Sequence, residues 1–259
     1  MHGIYLINKP KGITSHDVVG YLRKITDEKT IGHAGTLDPL ASGLMIVAIG
    51  REFTKRISEF SKLDKEYMAE ATLGATSTTY DAEGEITITR HFGLSSRHSG
   101  ESRECGTTPE SYNNKSIRSW TSQDDGLVKP SLAEIESILQ SFVGEQEQMP
   151  PIFSAKKIKG QKAYDLARQG KPVDLKAVPV IIYQTELIDY QYPILKFRVK
   201  VSSGTYIRSL VHDLGQKLGL GAYMSGLIRT SIGNYDLVRA IDLHQISSLA
   251  DLTNAKIKL

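Results

Sequence analysis

Residues Gly32-His33-Ala34-Gly35-Thr36-Leu37-Asp38-Pro39-Leu40-Ala41-Ser42-Gly43-Leu44 run directly into the apolar block Leu44-Met45-Ile46-Val47-Ala48-Ile49. An unbroken apolar run of this length reads as a buried strand. Asp38 therefore lies on a loop at the mouth of a core element. Because the residue before a proline is pushed out of the α region, Asp38 should be extended or in a turn, with its carboxylate projecting from the loop. Gly32, Gly35 and Gly43 permit unusual φ values and close approach of another molecule to the backbone. The simpler reading is a plain Asp-Pro turn punctuated by glycines.

The rest of the chain decides between these readings. With 259 residues, 40% hydrophobic and 24% charged, it has the composition of a soluble globular protein able to bury a substantial core. A net charge of +3 and a pI near 8.7 permit a polyanionic partner without requiring one. The single cysteine, Cys105, excludes an intrachain disulfide framework, and no Cys/His cluster has zinc-ligand spacing. The default expectation is a reducing, cytoplasmic setting and chemistry without a metal. No targeting segment and no apolar run of membrane-spanning length is found.

In chain order, Ile4 to Ile7 predict a first strand, and Asn8-Lys9-Pro10-Lys11-Gly12 a turn. Thr14 or Ser15 can cap a helix whose Val18, Val19, Leu22 and Ile25 share one face. Tyr67, Ala69, Ala71 and Leu73 alternate with Met68, Glu70 and Thr72, predicting a half-buried strand with Tyr67 pointing inward. Asp81-Ala82-Glu83-Gly84-Glu85 reads as a turn before a short strand, Ile86 to Thr89. Residues 91–126 are rich in Ser, Gly, Thr, Asn and charge, and are expected to be a largely disordered insertion.

Ser131 to Glu134 form a capping box for a helix bearing Ile135, Ile138, Leu139 and Phe142. Between Lys156 and Lys171, Lys156, Lys157, Lys159, Lys162, Arg168 and Lys171 face only Asp165. Such a run can be a solvated helix face. Its interleaving with Phe153 and Tyr164 equally suits a surface that holds phosphates and stacks bases. Leu195 to Val201 alternate cleanly as a strand with one basic face. Beyond Gly204-Thr205, a helix carries Ile207, Leu210, Val211, Leu214 and Leu218 as its stripe. Arg208 falls in its first turn, where a cation is mildly unfavourable, hinting at a specific anionic partner. The final segment predicts a short strand and one helical turn near Leu243 to Leu249.

The string His-x-Gly-x-Leu-Asp-Pro-Leu-Ala-x-Gly closely resembles the catalytic loop of the TruB family of tRNA pseudouridine synthases. Lys9-Pro10, Lys65-x-Tyr67 ahead of Leu73-Gly74, Pro-x-x-Ser-Ala-x-Lys with Ala-Arg-Gln-Gly, and Gly-Thr-Tyr-Ile-Arg-Ser-Leu match further family motifs in the same order. The resemblance implies a mixed α/β pseudouridine synthase fold, with a long, mainly antiparallel sheet and a central cleft. It implies a catalytic domain over 1–242, an RNA-gripping thumb over 146–173, and a short tail over 243–259 too small for a complete PUA domain. The implied reaction converts uridine to pseudouridine at position 55 in the tRNA T-loop, with the T-arm as partner and no cofactor or metal; a monomer is expected.

By the same resemblance Asp38 is the essential carboxylate and Arg208 its partner. Tyr67 stacks on the extracted uracil, and Leu227 forms the opposite wall, although a single Arg229 before Thr230 replaces an arginine pair. His33 fills the space left by the flipped base. Lys9 either supports the catalytic loop or faces a phosphate, and Lys156, Lys157 and Lys159 track the RNA backbone. Two other classes compete: an RNA-binding or RNA-folding protein of this fold without catalysis, and a glycoside hydrolase. The latter would want a second well-placed carboxylate, which the loop does not offer. Neutralising Lys156, Lys157 and Lys159 together should weaken tRNA binding and flatten its salt dependence, since each phosphate contact releases counterions. An unchanged slope of log Kd against log salt would return the run to a solvated face.

Overall fold

A computed structural model of the chain describes residues 2–89, 129–154, 157–158, 161–162 and 175–257. The expected insertion at 91–126 lies outside the described residues, as does most of the expected thumb, including Lys156 and Lys159. Lys157 enters only as backbone, in a two-residue strand paired with residues 161–162.

The first strand, β1, spans Gly3–Lys9 and leads through a turn to helix α1, Ser15–Thr26. Thr14 caps that helix: its hydroxyl accepts the Asp17 N–H, and the Asp17 carboxylate accepts the Thr14 N–H in return. A short strand β2, Ile31–His33, precedes the Asp38 loop, and β3, Ala41–Ile49, follows it. The next long strand, β4, covers Lys65–Leu73. Helix α2, Leu132–Gln140, is followed by β5, Gly144–Gln148, and then by β6, Val178–Gln191, and β7, Ile194–Val201. Helix α3, Ile207–Lys217, and strand β8, Ala222–Ile232, complete the main elements.

These strands form a sheet of eleven, ordered from residues 241–242 through β1, β3, β8, β4, β7, β6 and β5, with three short strands paired off that path. Pairing is antiparallel except where β8 runs beside β3 and where Ile241–Asp242 runs beside β1. The three helices cover one face through Val18, Leu22, Ile135, Leu139, Leu210 and Leu214. Behind β1 and β3 a second cluster gathers Ile4, Leu6, Leu44, Ile46, Ala48 and Phe60. Strands buried on both faces cannot afford alternation, which is why residues 44–49 are apolar throughout. Strands β4 and β7 have one wet face and do alternate. Leu195, Phe197, Val199 and Val201 are fully buried, while Arg198 and Lys196 point outward to pair with Glu186 and Glu70 at 2.6 and 3.9 Å.

Several expectations shift. Residues 146–148 belong to edge strand β5, paired with β6, so the main sheet takes in the start of the segment read as a thumb. The short tail packs onto the sheet: Lys256–Ile257 pairs with β1, and Leu252 and Ile257 are buried. Its helical turns are 3-10 turns at Leu243–Gln245 and Asp251–Ala255. Strands β6 and β8 had no strand expectation, since β8 interrupts its apolar pattern with Ser225, Gly226, Arg229 and Thr230.

One glycine sets how closely β3 and β8 approach. Gly43 has φ +106°, and a Cβ there would lie 2.4 Å from the Arg229 carbonyl oxygen and 2.7 Å from its nitrogen. Gly43→Ala should therefore lower unfolding free energy by about 3 kcal/mol or more, combining a left-handed backbone with overlap against rigid main chain. Gly20→Ala, in α1 with open space around it, should instead be neutral or stabilising by up to ~1 kcal/mol. Denaturant melts of both variants check the contrast.

Candidate active site

The β2–β3 connection carries Asp38 outside any helix or strand, as the following proline requires. Its neighbours Leu37 and Leu40 are buried in the helical-face core, while the Asp38 side chain keeps 38% of its exposure. The loop is thus anchored on both sides of a carboxylate that opens to one side. Strand β8 lies between β3 and β4 and sets the lateral order. Leu227 pairs with Ala41 at the end of the loop and with Ala69 on β4, and Arg229 pairs with Tyr67. Tyr67 and Leu227, 8% and 9% exposed, belong to the same apolar cluster as Leu37 and Leu40.

Helix α3 supplies Arg208 from its first turn. Its Nε lies 3.1 Å from Asp38 Oδ2, and its Nη1 lies 3.4 Å from Asp81 Oδ2. The same guanidinium donates to the Thr79 carbonyl at 3.2 Å and the Phe153 carbonyl at 3.0 Å. Three chain segments therefore converge on one buried arginine of a fourth. Asp81 was read from sequence only as a turn residue. It is 2% exposed, and its Oδ1 accepts from Thr79 Oγ1 at 2.5 Å and from the Glu83 N–H at 3.0 Å. The turn itself is tied to β8, with Met224 N–H donating to the Tyr80 carbonyl and Ala82 N–H to the Met224 carbonyl. Nothing in a run of turn formers marks which acid faces inward.

Three further cations sit in the protein interior around the loop. Lys9 is fully buried, and its ammonium donates to the Pro10 and Ile13 carbonyls at 2.9 and 2.7 Å. That position supports the turn beside the Asp38 loop and does not present the ammonium to a phosphate. Lys65 donates to the Ser61 and Leu63 carbonyls. Arg229 donates to the Leu44 carbonyl at 2.7 Å and the Gly35 carbonyl at 3.3 Å. Burial pulls the pKa of Lys9 down to about 8, with Arg229 adding to the fall and Asp38 opposing it. Lys65 is likewise lowered to about 8 by burial and by Arg229.

His33 ends β2, opposite Val47, and its Nδ1 is buried with no hydrogen-bond partner among the described residues. Burial lowers its pKa, favouring the neutral ring. No group of three or more His, Cys, Asp or Glu among the described residues could hold a metal ion. No described helix is long and apolar enough to cross a membrane.

Burial raises the Asp38 pKa and outweighs the opposing pull of Arg208; Asp81 raises it further, and Lys9 lowers it. Asp81→Asn removes the like charge and leaves Arg208 with Asp38 as its sole carboxylate partner. Both effects favour the ionised form, so the Asp38 pKa should fall in this variant. A 13C NMR titration of the Asp38 carboxyl in both proteins tests the sign. A pKa that rises in Asp81→Asn would show that Asp81 acts chiefly by holding Arg208 in place.

The sequence matches two family models that together span most of its length. One, described as the TruB family pseudouridylate synthase N-terminal domain, matches residues 23–104 and 104–207, in two pieces that meet inside the polar segment. The other, the tRNA pseudouridylate synthase B C-terminal domain, matches residues 208–258. The chain is 41% identical over 252 residues to tRNA pseudouridine synthase B of Protochlamydia amoebophila, covering 97% of this chain and 82% of the relative. It is 39% identical over 261 residues to the protein of that name in Bacteroides fragilis, covering 98% and 96%. Among solved structures, it resembles a crystal structure of a Cbf5-Nop10-Gar1 complex, with a TM-score of 0.60 and 27% identity over 94% of this chain. An H/ACA RNP bound to a substrate RNA containing 2'-deoxyuridine gives a TM-score of 0.58 and 26% identity. The chain spans about half of each of those longer chains, 53% and 51%. With the Asp38 loop, the mixed α/β fold and both family domains in one chain, the protein belongs to the TruB family of pseudouridylate synthases.

Proposed function

We propose that this protein isomerises uridine to pseudouridine at position 55 in the T-loop of tRNA, with Asp38 as the essential carboxylate. The observation that carries the reading is the Asp38–Arg208 ion pair, 3.1 Å long, on a loop whose neighbours include Tyr67 and Leu227. The reaction breaks the bond between ribose C1′ and uracil N1 and forms one between C1′ and C5. The C5 proton leaves and N1 gains one, so atoms and electrons balance without a redox partner. A carboxylate can serve by attacking the ribose, by adding to the ring, or by removing a sugar proton. Each route needs it ionised, aimed and shielded from bulk water.

Arg208 meets the first two needs. A guanidinium 3.1 Å from the carboxylate favours its ionised form against the burial that opposes it, and the fixed position of the arginine gives the carboxylate a preferred orientation. The base supplies the third by covering the open side of Asp38. Tyr67 stacks on the flipped uracil and Leu227 lies on its other side, while His33 occupies the space the base leaves. Lys156, Lys157 and Lys159 hold the RNA backbone. The protein works as a monomer on the tRNA T-arm, in the cytoplasm and without a metal.

Asp38→Ala should lower pseudouridine formation in a tRNA transcript by at least about a thousandfold while leaving RNA affinity within about tenfold. One carboxylate among many phosphate contacts contributes little to binding. Arg208→Lys should be nearly as damaging as Arg208→Ala, because an ammonium cannot serve the four acceptors that surround the guanidinium. Single-turnover assays with base-resolution mapping of pseudouridine measure both, and substantial turnover by Asp38→Ala would remove it from the reaction.

A further inference from the structure

The carboxylate of Asp38 is the reactive group of the proposed reaction, and its side chain ties the loop to the rest of the site only through Arg208. The loop is held through its main chain, from a segment more than twenty residues away. Ser15, the first residue of α1, is 2% exposed, and its hydroxyl is not the helix cap, since Thr14 fills that role. Instead, Ser15 Oγ accepts the Leu37 N–H at 2.8 Å and donates to the Leu37 carbonyl at 3.0 Å. On the other side of Asp38, the Gly12 N–H donates to the Pro39 carbonyl at 2.8 Å. Gly12 stands at φ +94°, in a turn whose Pro10 and Ile13 carbonyls are gathered by the buried ammonium of Lys9. Finally, the Asp38 carbonyl accepts from the Ala41 N–H at 3.1 Å.

We propose that Ser15 is a positioning residue for Asp38: its hydroxyl and the Gly12 amide clamp residues 37 and 39 on either side of the reactive carboxylate. A hydroxyl can give and take a hydrogen bond at one atom, which is what a peptide offering both N–H and C=O requires. No apolar side chain of similar size can replace it. Without the hydroxyl, both buried main-chain groups of Leu37 lose their partner, and the loop must move to rehydrate them. Such a movement shifts Asp38 relative to both Arg208 and the base. A displacement near 1 Å is enough to cost about a hundredfold in rate. Tyr67, Leu227 and the distant lysines are untouched, so RNA binding stays.

This inference rests on the proposed reaction only where turnover is the readout, so the test carries a second one. Ser15→Ala should lower single-turnover kcat by about tenfold to a hundredfold with the Kd for tRNA within about twofold. It should also speed hydrogen exchange at the Leu37 amide by about tenfold or more. Ser15→Thr keeps the hydroxyl and should recover most of both. Val19→Ala, a cavity in the buried face of the same helix, serves as control: at a comparable loss of Tm it should leave kcat and Leu37 exchange near wild type.

Full kcat in Ser15→Ala, an equal loss of kcat in the Val19→Ala control, or a threonine variant no better than alanine would overturn the proposal. If Ser15→Ala does not fold, Ser15→Cys, with a weaker donor and acceptor of similar shape, carries the same comparison. If wild-type protein forms no pseudouridine, the proposed reaction fails. The clamp is then judged by Leu37 exchange alone, and unchanged protection in Ser15→Ala overturns it.

Discussion

A buried guanidinium is the constraint around which the site is assembled. Arg208 is withdrawn from water, and an arginine stays charged at any pH a protein survives, so its surroundings must satisfy it. Two carboxylates and two carbonyls do so, from residues 38, 79, 81 and 153. None of these segments is near another in sequence except 79 and 81. The arginine therefore acts as a knot that brings the β2–β3 loop, the turn after β4 and the exit of β5 to the start of α3. Removing one carboxylate would leave a buried charge with too few partners, which is far more costly than never having buried it.

Elsewhere around the loop, charge is satisfied differently. Lys9, Lys65 and Arg229 are buried with their donors on backbone carbonyls, with no carboxylate within ion-pair distance among the described residues. Carbonyls of irregular loops lack a strand or helix partner, and a cation with several donors can serve more than one of them. The turn before α1 and the segment before β4 are each held by one ammonium. That accounts for irregular backbone held in place close to Asp38. It also places positive potential behind Asp38, where Lys9 opposes the rise in its pKa.

How much of this was legible in the sequence depends on whether a residue's role is set locally. The exposed turn position of Asp38 follows from Pro39 and the apolar block behind it. The alternation of β4 and β7, and the stripe of α3, follow from one wet face and one dry face. A cation in the first turn of α3 signalled an anion close by, and the structure shows two. Asp81 could not be singled out, because turn-forming and arginine-facing acids look alike until the turn is tied to Met224. The buried state of Lys9 was equally hidden, since its partners are carbonyls that every residue possesses. Strand β8 escaped because burial of Arg229 between neighbours replaces the apolar side chain that periodicity would seek. A short strand was expected in the final segment, but two residues have no period that could say which strand they join, and the structure places Lys256–Ile257 beside β1.

The remaining question is why a site this enclosed leaves Asp38 open at all. Tyr67 and Leu227 are almost fully buried without a ligand, so the apolar walls of the proposed base site are preformed and their burial belongs to folding. The open side of the carboxylate is different, because water there weakens its attraction to Arg208. On the proposed reading, a flipped base that covers this side expels that water, and the same ion pair then strengthens in a lower dielectric. Burial already outweighs Arg208 in setting the Asp38 pKa, so any ionised form in the closed site depends on the arginine gaining strength as water leaves. On that reading, RNA binding and carboxylate orientation are coupled through one interaction. The walls, the arginine and the clamped loop are built in advance, and the substrate supplies the last surface.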